Sequence, residues 1–68
     1  MNEEVLNTSV RKFLKKVGIT AQREIEKAVR EGISSGRLKG SEALPAEAVI
    51  TIAGVNLRLA IQGDVELA

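Results

Sequence analysis

Apolar residues recur at helical spacing in the first part of the chain. They fall every three or four residues and lie opposite a cluster of basic side chains; the apolar positions are Leu6, Val10, Phe13, Leu14 and Val17. This spacing is typical of an amphipathic helix with one apolar stripe. Asn2 suits an N-cap, and Gly18 suits the residue that follows a helix end. The pattern therefore predicts a first helix over residues 3–17.

A second apolar stripe follows at the same spacing. Thr20 is a suitable N-cap and Gly36 a suitable end, so we expect a second helix over residues 21–35. Its apolar face is formed mostly by small residues, which permits close approach of another element; the positions are Ala21, Ile25, Ala28, Val29 and Gly32. Residues 36–45 contain two glycines and the only proline, which indicates a loop.

The last third of the chain changes to a period of two, which is typical of strands. We expect strands over residues 46–53 and 56–67, joined as an antiparallel hairpin. The apolar positions of one face are Ala48, Ile50, Ile52, Val55, Leu57, Leu59, Ile61, Val65 and Leu67. Parity limits the register, because apolar faces coincide only when even-numbered residues oppose odd-numbered ones.

A two-residue loop at Gly54 and Val55 meets this condition and sets Ile52 opposite Leu57. Gly54 then occupies the position of a type II′ turn that requires positive φ. A loop at Ala53 and Gly54 keeps the parity but demands positive φ of Ala53, so it is the second choice. In the favoured register Pro45 faces Asp64, and pairing is expected to fade there because proline has no amide proton.

The predicted fold is α+β, a single domain over residues 1–68 with two N-terminal helices packed on the C-terminal hairpin. A lone hairpin is barely stable in water, and a chain of 68 residues buries a small core. The second strand also extends past the expected end of pairing. It either frays or bends at Gly63, or pairs with a second chain, and we favour a homodimer with Ile61, Val65 and Leu67 as candidate interface residues.

Composition excludes several classes of chemistry. With no Cys and no His, the chain offers no disulfide, no thiolate metal site and no histidine-based catalysis. We therefore predict no catalytic residue, no metal, no cofactor and no enzyme. The acidic start at Glu3 and Glu4 does not resemble a signal peptide, and no apolar run is long enough to span a bilayer. We expect a cytoplasmic protein with no membrane partner.

Charge is unevenly distributed along the chain. Residues 11–39 hold nine basic and three acidic side chains, and the flanks hold one basic and six acidic ones. This middle segment can bind an acidic partner, such as an unidentified protein, or neutralise the flanks. The alternative function is nucleic-acid binding, because two helices joined through Gly18 and Ile19 resemble a helix-turn-helix. The candidate contacts are Lys12, Lys16, Arg23, Lys27 and Arg30.

The loop over residues 34–41 combines glycines, hydroxyls and basic side chains, as phosphate-binding loops do. It lacks the G-x-x-x-x-G-K-[ST] spacing and a preceding strand, so we interpret it as a flexible connector.

Five segments together resemble a family of short proteobacterial proteins of unknown function. They are MNEE at 1–4, RKFLKKVG at 11–18, QREIEKAVRE at 22–31, LKG at 38–40 and LPA at 44–46. The resemblance spans most of the chain and implies a bacterial cytoplasmic protein. It implies no activity, and no functional residue is transferred from it.

Overall fold

A computed structural model describes all residues from Met1 to Ala68. One helix, α1 (Glu3–Ser34), is followed by two strands, β1 (Ala43–Ile52) and β2 (Leu57–Glu66). The strands form a two-stranded antiparallel sheet, so the α+β class and the C-terminal hairpin are confirmed. The chain divides into two compact units, Met1–Arg37 and Leu38–Ala68, and each is described by itself. The packing of helix on hairpin stays a prediction.

The ends of α1 follow local capping chemistry. The Asn2 side chain accepts the backbone N–H of Glu4 at 2.9 Å and of Val5 at 3.2 Å, which satisfies two donors that have no partner inside the helix. Two acidic residues in the first turn suit the positive end of the helix dipole. At the other end Gly36 takes a φ of 82°, so the predicted glycine stop is confirmed.

The prediction of two helices is wrong, because α1 runs unbroken through Gly18 and Thr20. Gly18 has no positive φ, and therefore it does not have the left-handed backbone of a helix end. An interior glycine costs about 1 kcal/mol relative to alanine. The apolar spacing passes from Val17 to Ala21 without a change of phase, so one helix keeps a single stripe that a break would divide.

The favoured hairpin register is confirmed. Ile52 pairs with Leu57, Ile50 with Leu59 and Ala48 with Ile61. Gly54 has a φ of 94°, as that register requires. The turn is wider than the predicted two-residue loop, because it includes Ala53 and Asn56, and Asn56 also has a positive φ of 52°.

The predicted strand ends and the loop over residues 36–45 need correction. Pairing continues past Pro45 and Asp64 to Ala43 and Glu66, and the N–H of Leu67 donates to the carbonyl of Glu42 at 3.0 Å. Hydrogen-bonded pairs alternate along an antiparallel ladder. Counting from the bonded pair of Leu67 and Glu42, Pro45 falls at a non-bonded position where no amide proton is needed, so pairing does not fade there.

The hairpin has one apolar and one mixed face. All residues of the apolar face come from five directly opposed pairs, which are Leu44–Val65, Ala46–Gly63, Ala48–Ile61, Ile50–Leu59 and Ile52–Leu57. Glu47 and Gln62 oppose each other on the other face, where the Gln62 amide donates to the Glu47 carboxylate at 3.2 Å. No helix in this structure combines the length and the apolar character that crossing a membrane requires.

Candidate interaction surfaces

The continuous helix brings the five predicted basic contacts onto one face. At 100° per residue, Lys12, Lys16, Arg23, Lys27 and Arg30 fall within a sector of about 60°. At 1.5 Å per residue, they span about 27 Å along α1. All five are exposed. No acidic residue falls within this sector, which we call the basic face. Two separate helices would not have fixed the five residues on one face. The residues were therefore predicted from the sequence, but their common face was not.

Two features modify the predicted nucleic-acid site. Arg30 forms an ion pair with Glu26 at 3.6 Å on the edge of the basic face, and the Gln22 amide donates to the same carboxylate at 3.0 Å. The exposure of this ion pair limits its contribution to stability to about 0–1 kcal/mol. The helix-turn-helix interpretation is wrong, since Gly18 and Ile19 lie inside one helix and form no turn.

The connector between α1 and β1 is ordered around a carboxylate. Glu42 accepts the backbone N–H groups of Lys39 at 2.9 Å, Gly40 at 2.8 Å and Ser41 at 3.1 Å. The N–H groups of Lys39 and Gly40 lower the pKa of the Glu42 carboxyl below its ordinary value, because they stabilise the charged form. The amides that a phosphate would need are therefore bound by the chain's own side chain. This role of Glu42 was not predicted from the sequence, although Glu42 directly follows Gly40 and Ser41 in the predicted loop.

The three candidate interface residues of β2 differ in position. Ile61 lies on the apolar face of the hairpin with 51% of its surface exposed. Val65 pairs with Leu44 and is half-buried, and Leu67 lies beyond the strand with its N–H bound to Glu42. The expectation of an unpaired overhang is wrong, because both residues find partners within the chain. Of the three candidate interface residues, only Ile61 lies where the sequence predicted it, on the open apolar face of the hairpin.

The apolar stripe of α1 is also exposed along most of its length, and only Gly32 within it is buried. No hydrophobic side chain of the chain is buried, and Phe13 and Leu14 each keep 47% of their surface accessible. The stripe unites the two sets of positions that the sequence assigned to separate helices. Large contiguous apolar patches on a protein surface mark interaction sites.

No group of three His, Cys, Asp or Glu side chains lies close enough to hold a metal ion. The mixed face of the hairpin carries only a shallow hollow beside Pro45, Glu47 and Asp64.

The fold and its surfaces define a small α+β protein with a long amphipathic helix and an amphipathic hairpin. The chain belongs to Family of unknown function (DUF6494), which it matches over residues 1–68. No curated protein and no solved structure matches it.

Proposed function

We propose that the protein is a small, non-enzymatic interaction module of the bacterial cytoplasm that acts as a homodimer. A single observation carries the proposal, which is that the chain exposes two long apolar faces and buries no hydrophobic side chain. Isolated two-stranded hairpins are marginal in water, and so are chains of this size without an added source of stability. A disulfide is not available in a chain without Cys. A second copy is a further source of buried apolar area.

The hairpin face supports this proposal in its composition. The five cross-strand pairs of this face contain only apolar residues and glycine, and charged side chains occur only on the other face. Ile61 lies near the middle of this face, opposite Ala48. Such a face removes apolar area from water at about 25 cal/mol per Å² when it is covered.

A pair of matched variants tests the homodimer. Ile61→Thr places a hydroxyl on the apolar face, and Ala60→Thr places the same side chain on the other face. Threonine favours strands, so neither change removes β-propensity. Size-exclusion chromatography with light scattering is expected to show a dimer for Ala60→Thr and a shift towards monomer for Ile61→Thr. Equal masses for both variants would contradict the role of this face.

The second candidate function is nucleic-acid binding through the basic face. The specific observation in its favour is the alignment of five basic side chains, without an acidic one, along about 27 Å of helix. A helix that carries such a stripe can contact successive phosphates of one duplex. If all five residues contact phosphates, the slope of log K against log salt is about −4 to −5.

A fluorescence titration with a labelled duplex at low salt tests this candidate. The double variant Lys16→Gln with Lys27→Gln is expected to weaken binding. The control, Arg11→Gln with Lys15→Gln, removes the same charge from the same helix outside the basic face. Equal loss in both variants would indicate a nonspecific charge effect, and the absence of binding at low salt would end the candidate.

A further inference from the structure

The apolar stripe of α1 follows an 11-residue repeat. Its positions advance in steps of four, four and three residues, and they are Leu6, Val10, Leu14, Val17, Ala21, Ile25, Ala28 and Gly32. A repeat of 11 residues over three turns corresponds to 3.67 residues per turn, close to the 3.6 of a straight helix. The stripe therefore stays on one side of α1, with a drift of only about 20° per repeat. It suits a partner helix in a pair with a slight right-handed supercoil.

We propose that this stripe is covered by α1 of a second copy, aligned antiparallel. The inference deepens the homodimer proposed above and rests on it. In one alignment that sets apolar positions of the two stripes against each other, Val10 lies level with the partner's Ala28, Phe13 with the partner's Ile25 and Val17 with the partner's Ala21. The residue numbers of each level add to 38. The paired stretch from Val10 to Ala28 is about 27 Å long.

The distribution of side-chain size supports the antiparallel direction. The large apolar side chains lie mainly in the N-terminal half of the stripe, and the small ones lie mainly in the C-terminal half. An antiparallel pair sets Val10 against Ala28 and Val17 against Ala21, so that large side chains meet small ones. A parallel pair sets Ala28 against Ala28, which leaves space unfilled. Gly32 is already buried within its own chain, so the paired stretch ends at Ala28.

The distribution of charge supports the same direction. Residues 11–16 hold four basic and no acidic side chains, a net +4, and residues 22–27 hold two of each sign, a net zero. A parallel pair in register sets +4 beside +4. The antiparallel alignment sets each +4 segment beside a neutral one that contains Glu24 and Glu26. The like charges then separate by about 16 Å along the axis, beyond a Debye length of about 8–10 Å.

Charge also argues against another antiparallel register. A second alignment sets Leu6 level with Ile25, Val10 with Ala21 and Leu14 with Val17. It also sets Lys15 of one chain level with Lys16 of the other, so the two basic segments meet. The first alignment avoids this contact.

Disulfide trapping tests the alignment directly, because the chain has no cysteine of its own. Two single variants of the full chain, Val10→Cys and Ala28→Cys, are mixed and oxidised. The linked products are then resolved by intact mass. The antiparallel alignment predicts that the mixed disulfide exceeds either symmetric disulfide at least tenfold. A matched pair, Thr8→Cys with Arg30→Cys, is level in the same alignment but lies on the opposite side of α1, and it is expected to remain unlinked.

The outcomes separate this inference from the homodimer itself. A dominant symmetric Val10 disulfide overturns the inference in favour of parallel helices. A dimer by light scattering with no disulfide in either pair overturns it because the helices do not meet. A monomer overturns both proposals. A monomer whose stripe residues are protected from solvent only when anionic phosphatidylglycerol vesicles are added assigns the stripe to a membrane surface.

A size swap supplies an independent readout in case cysteine perturbs the helix. Val10→Ala and Ala28→Val are each expected to weaken dimerisation about tenfold. The double variant is expected to restore the dissociation constant to within threefold of the original, because each level again pairs one valine with one alanine. Additive losses in the double variant overturn the alignment.

Discussion

Gly40 donates its backbone N–H to the Glu42 carboxylate at 2.8 Å, and Lys39 and Ser41 donate to the same carboxylate. Three successive amides thus bind one half-buried acidic side chain. These bonds stabilise the charged carboxylate and lower its pKa in the folded chain.

This arrangement predicts a pH dependence of the connector. Because the folded pKa is lowered, the stabilisation is complete above the unfolded pKa and is lost as pH falls through the folded value. NMR titration of the Lys39, Gly40 and Ser41 amides is expected to report an apparent pKa below the ordinary value of 4.5. Glu42→Gln is expected to remove the titration while keeping an acceptor oxygen. Amide shifts that titrate unchanged in Glu42→Gln would exclude Glu42 as their cause.

The continuity of α1 predicts how replacing Gly18 with alanine affects stability. Its backbone is helical and an added Cβ meets no atom within 4 Å. Gly18→Ala is therefore expected to raise the free energy of unfolding by about 1 kcal/mol. Urea unfolding followed by circular dichroism measures the change. Lys15→Gly is the matched control and is expected to lower stability by about 0.7 kcal/mol. A loss of helicity in Gly18→Ala would indicate that the chain breaks at this position.

Replacing each of two hairpin glycines with alanine is expected to change stability in opposite directions. Gly54 has a φ of 94°, and alanine in the left-handed region costs about 1–2 kcal/mol, so Gly54→Ala is expected to destabilise the hairpin. Gly63 lies in β2 without positive φ, and an added Cβ there meets no atom within 4 Å. Gly63→Ala is expected to gain about 0.5–1 kcal/mol. Equal thermal unfolding midpoints for both variants would contradict the turn geometry.

The N-cap predicts a further local effect. Replacing Asn2 with alanine removes the acceptor for Glu4 and Val5, and such a loss costs about 1 kcal/mol. Asn2→Asp is the control, since aspartate accepts the same bonds. Amide exchange of Glu4 and Val5 is expected to accelerate in Asn2→Ala and not in Asn2→Asp.

The hairpin was predictable from sequence because its register depends on local information. The alternation along β2 and the conformational freedom of Gly54 leave few registers, and one of them matches apolar faces without strain. The strand ends were less predictable. Whether Pro45 interrupts pairing depends on which positions of the ladder are hydrogen-bonded, and that is fixed by Glu42 and Leu67 beyond the predicted strand.

The helix was mispredicted because two local signals outweighed a longer one. Gly18 resembles a helix end and Thr20 an N-cap, and each is judged over only a few residues. The 11-residue spacing from Leu14 through Val17 and Ala21 to Ile25 indicated instead that one helix continues through Gly18. The five basic candidates were chosen from the sequence alone, but their common face depended on this continuity.

Sedimentation equilibrium of the unmodified chain at micromolar concentration and neutral pH tests the central claim most directly. We predict a mass of twice the 7.3 kDa of one chain, since a second copy covers the apolar faces. A mass of 7.3 kDa over the whole concentration range would contradict the account.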